Sequence, residues 1–149
     1  ADPSNSGYYK KNAENYIYEL NRLDDDIRSV VDGAKRKTVV FADRFPIRYF
    51  ADEYGLEYFA AFPGCSSESE PSAATIAFLI EKVKSEHIPA VFFTETSDGK
   101  VADTICEASG AKKLLFHSCH NITKQQFDGK ATYISLMKQN LKALQTALN

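Results

Sequence analysis

Several residue types are scarce or absent in this 149-residue sequence, which has no tryptophan, one methionine and three cysteines. The cysteines, Cys65, Cys106 and Cys119, are too few and too irregularly spaced for a disulfide framework or a Cys-x-x-Cys zinc site. No apolar run approaches the roughly 18 residues that a membrane-spanning helix needs. The first residues, ADPSNSGYYKK, also lack the apolar core and cleavage site of a signal peptide, so we expect any export signal to lie outside this sequence.

A strong excess of either charge is also missing. The formal net charge is −2, and the lysines and arginines are scattered among acidic residues. A nucleic-acid-binding surface needs a basic stripe or patch, so that class of partner is excluded. The 44% hydrophobic, 26% charged and 12% aromatic residues are typical of a globular domain, and a chain of this length can bury a genuine core.

The pattern of apolar residues predicts one long helix followed by alternating strands and helices. From Tyr9 to Val31 apolar residues recur with a helical period for about six turns, with the Asp and Ser residues of DPSNS as possible N-caps and Gly33 as the stop. Four short apolar runs then indicate strands buried on both faces, at residues 38–42, 58–62, 90–94 and 113–117. Helical patterns separate or follow them at residues 46–54, 72–87, 99–109 and roughly 130–148.

This order predicts an α/β fold: a three-layer sandwich with a four-stranded parallel sheet, preceded by a long N-terminal helix. In open parallel sheets ligands bind beyond the carboxyl ends of the strands, where loops and helix N-termini meet. The candidate functional residues are therefore those that follow the strands: Asp43 and Arg44, residues 63–70, residues 95–99 and residues 117–120.

Asp43 follows the first predicted strand, in the sequence TVVFADRFPIRYF. A carboxylate at this point could ligate a metal, accept a phosphoryl group, cap the helix that Pro46 opens, or pair with Arg44 or Arg48. Sequence alone leaves these alternatives open.

The segment HSCHNIT places two histidines and a cysteine at the end of the fourth strand. His117, Cys119 and His120 are all metal-binding or catalytic residue types. Positions i and i+2 of a strand share a face, so His117 and Cys119 could point together, with His120 in the following loop.

The other two cysteines lie in segments with a simpler interpretation. Cys65 belongs to GCSSESEPS, which could bind a cation but first suggests helix capping, and Cys106 lies at core spacing in a helix.

Three longer stretches resemble one protein family: AENYIYELNRLDDDIR, FADRFPIRYFADEYGLEYFAAF and SSESEPSAATIAFLIEKVKSEHIPAVFFTETSDGKVADTICEASGAK. Together they resemble the C-terminal half of the zinc- and manganese-binding solute-binding proteins of ABC importers. In that family a long helix joins two α/β lobes, and the metal lies between them. The resemblance implies that residues 1–36 form the linking (hinge) helix and that residues 37–149 form the C-terminal lobe, without the N-terminal lobe and its two histidine ligands.

The resemblance also implies two metal ligands in this lobe, one after its first strand and one after its fourth. Relatives place a histidine or carboxylate first and a carboxylate second, whereas this sequence has Asp43 first and His117 second. Either the nitrogen and oxygen donors have changed places, or the site has drifted and lost its metal. Arg44 is an alternative alignment for the first position, and His120 is a possible third donor. A mixed nitrogen and oxygen set suits zinc, with manganese second.

By resemblance, the expected function is metal binding for import, not catalysis. Expected partners are the missing N-terminal lobe and the membrane subunits of an ABC importer, at an extracellular or periplasmic location, with any lipid anchor outside this chain. A flavodoxin-like signalling domain that uses Asp43, or a small thiol enzyme that uses Cys119, is the alternative.

Overall fold

The computed structural model describes residues 2–62 and 71–149. Cys65 and most of GCSSESEPS, to which the sequence assigned a possible cation site, lie outside the described residues. Its last residue, Ser72, is the N-cap of a helix, where its side chain accepts a hydrogen bond from the Thr75 amide. Capping by this segment was therefore correctly predicted at Ser72.

The long helix α1 spans Ser6–Asp32 and follows a short 3-10 helix at Pro3–Asn5. It is unbroken, as predicted, and ends at Gly33. Its second half is anchored by buried Leu23, Ile27 and Val31, whereas its first half is exposed. The predicted capping by an Asp or Ser residue of DPSNS is wrong, because the N-cap is Asn5 and makes no side-chain cap.

The four predicted strands form one parallel sheet, which confirms the fold class. They are β1 (Thr38–Arg44), β2 (Glu57–Phe62), β3 (Ala90–Phe93) and β4 (Lys112–Leu115), in the order β2-β1-β3-β4. The two central strands, β1 and β3, are the most deeply buried: Val40, Phe41 and Phe92 are fully buried. Because β1 and β3 are parallel neighbours, their carboxyl ends lie side by side in the middle of one edge of the sheet.

Helices cover both faces of the sheet and give the predicted three layers. They are α2 (Arg48–Tyr54), α3 (Ala73–Ser85), α4 (Lys100–Ser109), α5 (Lys124–Asp128) and α6 (Tyr133–Leu148). One core joins α1, α2 and α6 to the sheet, around a group of edge-to-face and tilted rings at Phe41, Phe92 and Phe116. A second core joins α3 and α4 to the opposite face, around Leu79 and Ile105. Within the described residues, no helix has the length and apolar character needed to cross a membrane.

The end of the sheet differs from the prediction. β4 is an edge strand whose two lysines and Leu115 are exposed, so it is not buried on both faces. It stops at Leu115, although the Phe116 amide still donates to the Phe93 carbonyl at 2.9 Å. His117 and Cys119 therefore do not share a strand face; Cys119 has a left-handed backbone with φ 63°.

Candidate functional site

A cavity of about 580 Å³ opens at the carboxyl edge of the sheet. The loops after β1, β3 and β4 meet there, as expected for an open parallel sheet. Its polar lining includes Asp43, Thr94, Thr96, Asp98, Ser118 and His120.

Asp43 presents a half-buried carboxylate to this cavity. Its Oδ1 accepts a hydrogen bond from the Arg44 amide at 2.9 Å. Its Oδ2 accepts from the Thr94 amide at 3.2 Å and from the Thr94 hydroxyl at 2.9 Å. These bonds fix the carboxylate but leave acceptor capacity, because its two oxygens together offer about four lone pairs.

Two of the structural roles weighed for Asp43, capping of α2 and pairing with Arg48, find no support among the described residues. Helix α2 has Ile47 at its N-cap and no side-chain cap, so Asp43 does not cap it. Arg48 lies 3.7 Å from Asp52 on its own helix. Asp43 is therefore held by the end of the neighbouring strand β3, with its carboxylate available to a ligand.

His117 is held in the interior by Asn140. Its amide donates to Asn140 Oδ1 at 2.7 Å, and its carbonyl accepts from Asn140 Nδ2 at 2.8 Å. The residue is 2% exposed and is not among the residues that line the cavity. Sequence reasoning missed Asn140, although a polar residue among the buried positions of α6 was a usable signal.

The imidazole of His117 has one partnered and one unpartnered nitrogen. Nδ1 accepts a hydrogen bond from the Cys119 amide at 2.9 Å, so in the neutral ring the proton sits on Nε2. Nε2 is buried without a hydrogen-bond partner among the described residues. Metal binding through Nε2 therefore requires that the proton leave this nitrogen.

His120 has the opposite placement: it is exposed and lines the same cavity as Asp43. Its amide donates to the Ser118 hydroxyl at 3.3 Å. The structure thus places Asp43 and His120 in the lining of one cavity, whereas His117 is buried outside this lining. Across residues 2–62 and 71–149, no three His, Cys, Asp or Glu side chains form a metal-binding group.

Glu95 belongs to the candidate segment 95–99, although the sequence suggested no specific role for it. Its side chain is 7% exposed, and its Oε2 accepts from the Ser118 amide at 2.7 Å. The Ser118 hydroxyl donates to Oε1, which lies 3.9 Å from His117 Nδ1. Burial raises the pKa of Glu95, but these hydrogen bonds outweigh it, and the pKa lies below its ordinary value.

The geometry does not favour thiol catalysis. Cys119 Sγ lies 3.8 Å from the His117 carbonyl, and the ring nitrogen of His117 accepts from the Cys119 amide, not from its thiol. Burial raises the pKa of Cys119, whereas an activated nucleophile needs a lowered one. Cys106 is half-buried beside the second core, and burial raises its pKa too.

Comparison with known protein families identifies the family of this chain. The family described as "Zinc-uptake complex component A periplasmic" matches residues 1–147. The chain belongs to this family. The chain is similar to the High-affinity zinc uptake system protein ZnuA of Bacillus subtilis, 36% identical over 147 residues, and to the Zinc-binding lipoprotein AdcA of Streptococcus pneumoniae, 34% identical over 142 residues.

The chain spans only part of these relatives: 99% of it matches 46% of the Bacillus protein, and 95% matches 28% of AdcA. Solved structures agree. The metal-dependent lipoprotein YcdH of Bacillus subtilis has a TM-score of 0.83 at 36% identity, covering 99% of this chain and 55% of its own. The Zn(II)-bound ZnuA-like domain of Streptococcus pneumoniae AdcA has a TM-score of 0.78 at 33% identity, covering 98% and 54%.

Proposed function

We propose that this chain is the linking helix and C-terminal lobe of a zinc receptor that serves an ABC importer. The observation that carries the proposal is the match of nearly the whole chain to about half of zinc-uptake proteins. Residues 1–36 are the hinge segment and residues 37–149 the metal-binding lobe. Zinc is the cargo, manganese is the second choice, and the protein performs no covalent chemistry.

The proposed ligands are Asp43, His117 and His120. Asp43 and His120 line the cavity, where a carboxylate oxygen and an imidazole nitrogen form a mixed donor pair that suits zinc. His117 adds a third donor through Nε2, the buried nitrogen that lacks a partner among the described residues. The ring proton would have to leave Nε2, and a move of this proton to Nδ1 would break the hydrogen bond that Nδ1 accepts from the Cys119 amide at 2.9 Å.

Closed zinc sites take four protein donors, so this lobe requires donors from elsewhere. We propose that the N-terminal lobe of the same receptor supplies them and that the cavity faces that lobe. The other partners are the membrane subunits of the importer. The receptor would act outside the cell or in the periplasm, held to the surface by a lipid anchor outside this chain.

Zinc calorimetry on the full-length protein that contains this chain tests the proposed ligands. Asp43→Asn, His117→Gln and His120→Gln should each weaken zinc binding, by roughly tenfold or more for Asp43→Asn, because changes in the second ligand shell alone cost about 10–100-fold. Asp98→Asn and His87→Gln are matched controls: Asp98 lines the cavity but pairs with Lys100, and His87 lies outside the lining.

These controls should bind like the parent protein. If Asp43→Asn and His117→Gln both bind zinc like the parent, the exchanged pair of nitrogen and oxygen donors is wrong. If the parent itself binds no zinc, the proposed function is wrong.

A further inference from the structure

The end of strand β3 lies between the two loops that carry the proposed ligands. β3 pairs with β1 on one side and with β4 on the other. The next two residues, Thr94 and Glu95, reach in opposite directions along this edge. Thr94 holds Asp43, and Glu95 holds Ser118.

Ser118 connects Glu95 to the proposed ligand His120. Its amide and hydroxyl both donate to the Glu95 carboxylate, and its hydroxyl oxygen accepts from the His120 amide at 3.3 Å. Only one hydroxyl group therefore separates a nearly buried carboxylate from the backbone of His120. On the other side, Asn140 fixes the backbone of His117.

Two observations indicate that the hydrogen bonds between Glu95 and Ser118 fix the loop after β4. The loop after β4 has no regular secondary structure between Phe116 and Thr123, so ladder hydrogen bonds do not fix it. Burying a carboxylate is costly unless hydrogen bonds satisfy it. Here both carboxylate oxygens bond to one residue of the loop that carries the proposed ligands.

We propose that Glu95 is a positioning residue for metal capture, which acts through Ser118 to hold the His117–His120 loop so that His120 faces the cavity shared with Asp43. This inference rests on the proposed function. Glu95 is not itself one of the proposed ligands, since both of its oxygens are engaged by Ser118.

The test uses Glu95→Gln, Ser118→Ala and the double variant in the full-length protein. Zinc affinity is measured by competition with a chromophoric chelator, and the visible spectrum of bound Co²⁺ reports ligand geometry. Each single variant should weaken zinc roughly tenfold, the lower end of the effect of second-shell groups, and change the Co²⁺ spectrum. Because both variants break one link, the double variant should be no weaker than Glu95→Gln alone.

Glu57→Gln is the matched control. Glu57 accepts from the Thr38 hydroxyl at 3.2 Å at the opposite end of the sheet, so this variant should leave zinc affinity and the Co²⁺ spectrum unchanged. Should Glu95→Gln unfold the protein, Ser118→Ala decides the question.

The positioning role is overturned if Glu95→Gln and Ser118→Ala bind zinc like the parent, or if their effects simply add. The proposed function survives this result provided that Asp43→Asn still weakens zinc. If Asp43→Asn, His117→Gln and His120→Gln also bind zinc like the parent, the proposed function fails and the positioning role fails with it.

Discussion

Thr94 determines how the Asp43 carboxylate is presented. It is 4% exposed, and its amide and hydroxyl both donate to the same carboxylate oxygen. Thr94→Val keeps the size of the side chain but removes the hydroxyl. We expect a loss of about 1–2 kcal/mol in the free energy of unfolding, because a hydrogen bond to a charged group is lost in a partly buried site. Urea denaturation measures this loss.

The control for Thr94 is Thr104→Val. Thr104 is exposed on α4, and its hydroxyl donates to the Lys100 carbonyl within the helix. We expect its effect to stay within about 0.5 kcal/mol, as is usual for surface positions. Equal effects of the two substitutions would show that the Thr94 hydroxyl does not stabilise Asp43.

At the scale of residues, the sequence could predict that Asp43 and His120 lie at the carboxyl edge of the sheet, but not how these residues are held. Asp43 was found because an acid directly follows an apolar run, which is a local pattern. Its partner Thr94 is 51 residues away, and Asn140 is 23 residues from His117. Such pairings arise from the order of strands and from helix packing, so no spacing in the sequence reveals them. For the same reason, sequence alone did not show that His117 turns inward while His120 lines the cavity.

Helix α1 is tied to α2 by a polar cluster that lies beside their apolar contact. The Tyr54 hydroxyl donates to Asp24 at 2.7 Å, while Arg28 binds Asp24 at 2.9 Å and also pairs with Glu53. Hydrogen bonds from Tyr54 and then Arg28 lower the pKa of Asp24. The cluster therefore fixes the second half of the proposed hinge helix to the lobe.

Tyr54→Phe should destabilise the chain by about 1 kcal/mol at pH 7, since one hydrogen bond to a partly exposed carboxylate is lost. The pKa of Asp24 is lowered in the folded state, so the unfolded chain binds its proton more readily. The stabilisation is therefore complete above about pH 4 and is lost as the pH falls through the folded-state pKa.

The measurement for Tyr54 is urea denaturation between pH 7 and pH 3. The difference between the parent and Tyr54→Phe should shrink on acidification. Tyr49→Phe on the same helix is the control, because Tyr49 is 91% exposed, and it should match the parent at every pH. A constant difference across this range would contradict a role for ionised Asp24.

At the scale of elements, long periodic segments were predicted well and short polar ones were not. The 27 residues of α1 and the apolar runs of β1 and β3 carry strong periods. Helix α5 has five residues, of which only Phe127 is apolar, so it has no period to detect. It is stabilised by a capping box between Thr123 and Gln126, a local signal that the apolar pattern does not contain.

At the scale of the whole molecule, the apolar packing of the lobe contrasts with that of the long helix α1. Two apolar clusters fill the spaces on both sides of the sheet. In contrast, the first half of α1 exposes Tyr8, Tyr9 and Tyr18. The packed lobe and the exposed first half of α1 agree with the proposal that another lobe belongs at the N-terminal side of this chain.

The number of donors sets the expected zinc affinity of the chain by itself. Of the proposed donors, Asp43 and His120 line the cavity and His117 does not, so the proposal gives this chain two or three donors where a closed site takes four. We expect the isolated chain to bind zinc roughly a hundredfold or more weakly than the full-length protein, since second-shell changes alone already cost about 10–100-fold. Donors held on one preorganised scaffold avoid much of the ordering cost of binding, so restoring the other lobe should recover the affinity.

Titration of both proteins with zinc in competition with one chelator gives the ratio of their zinc affinities. In the isolated chain, Asp43→Asn should abolish the residual zinc binding. Equal affinities for the chain and the full-length protein would mean that all ligands lie within residues 1–149, and the half-site proposal would then be wrong.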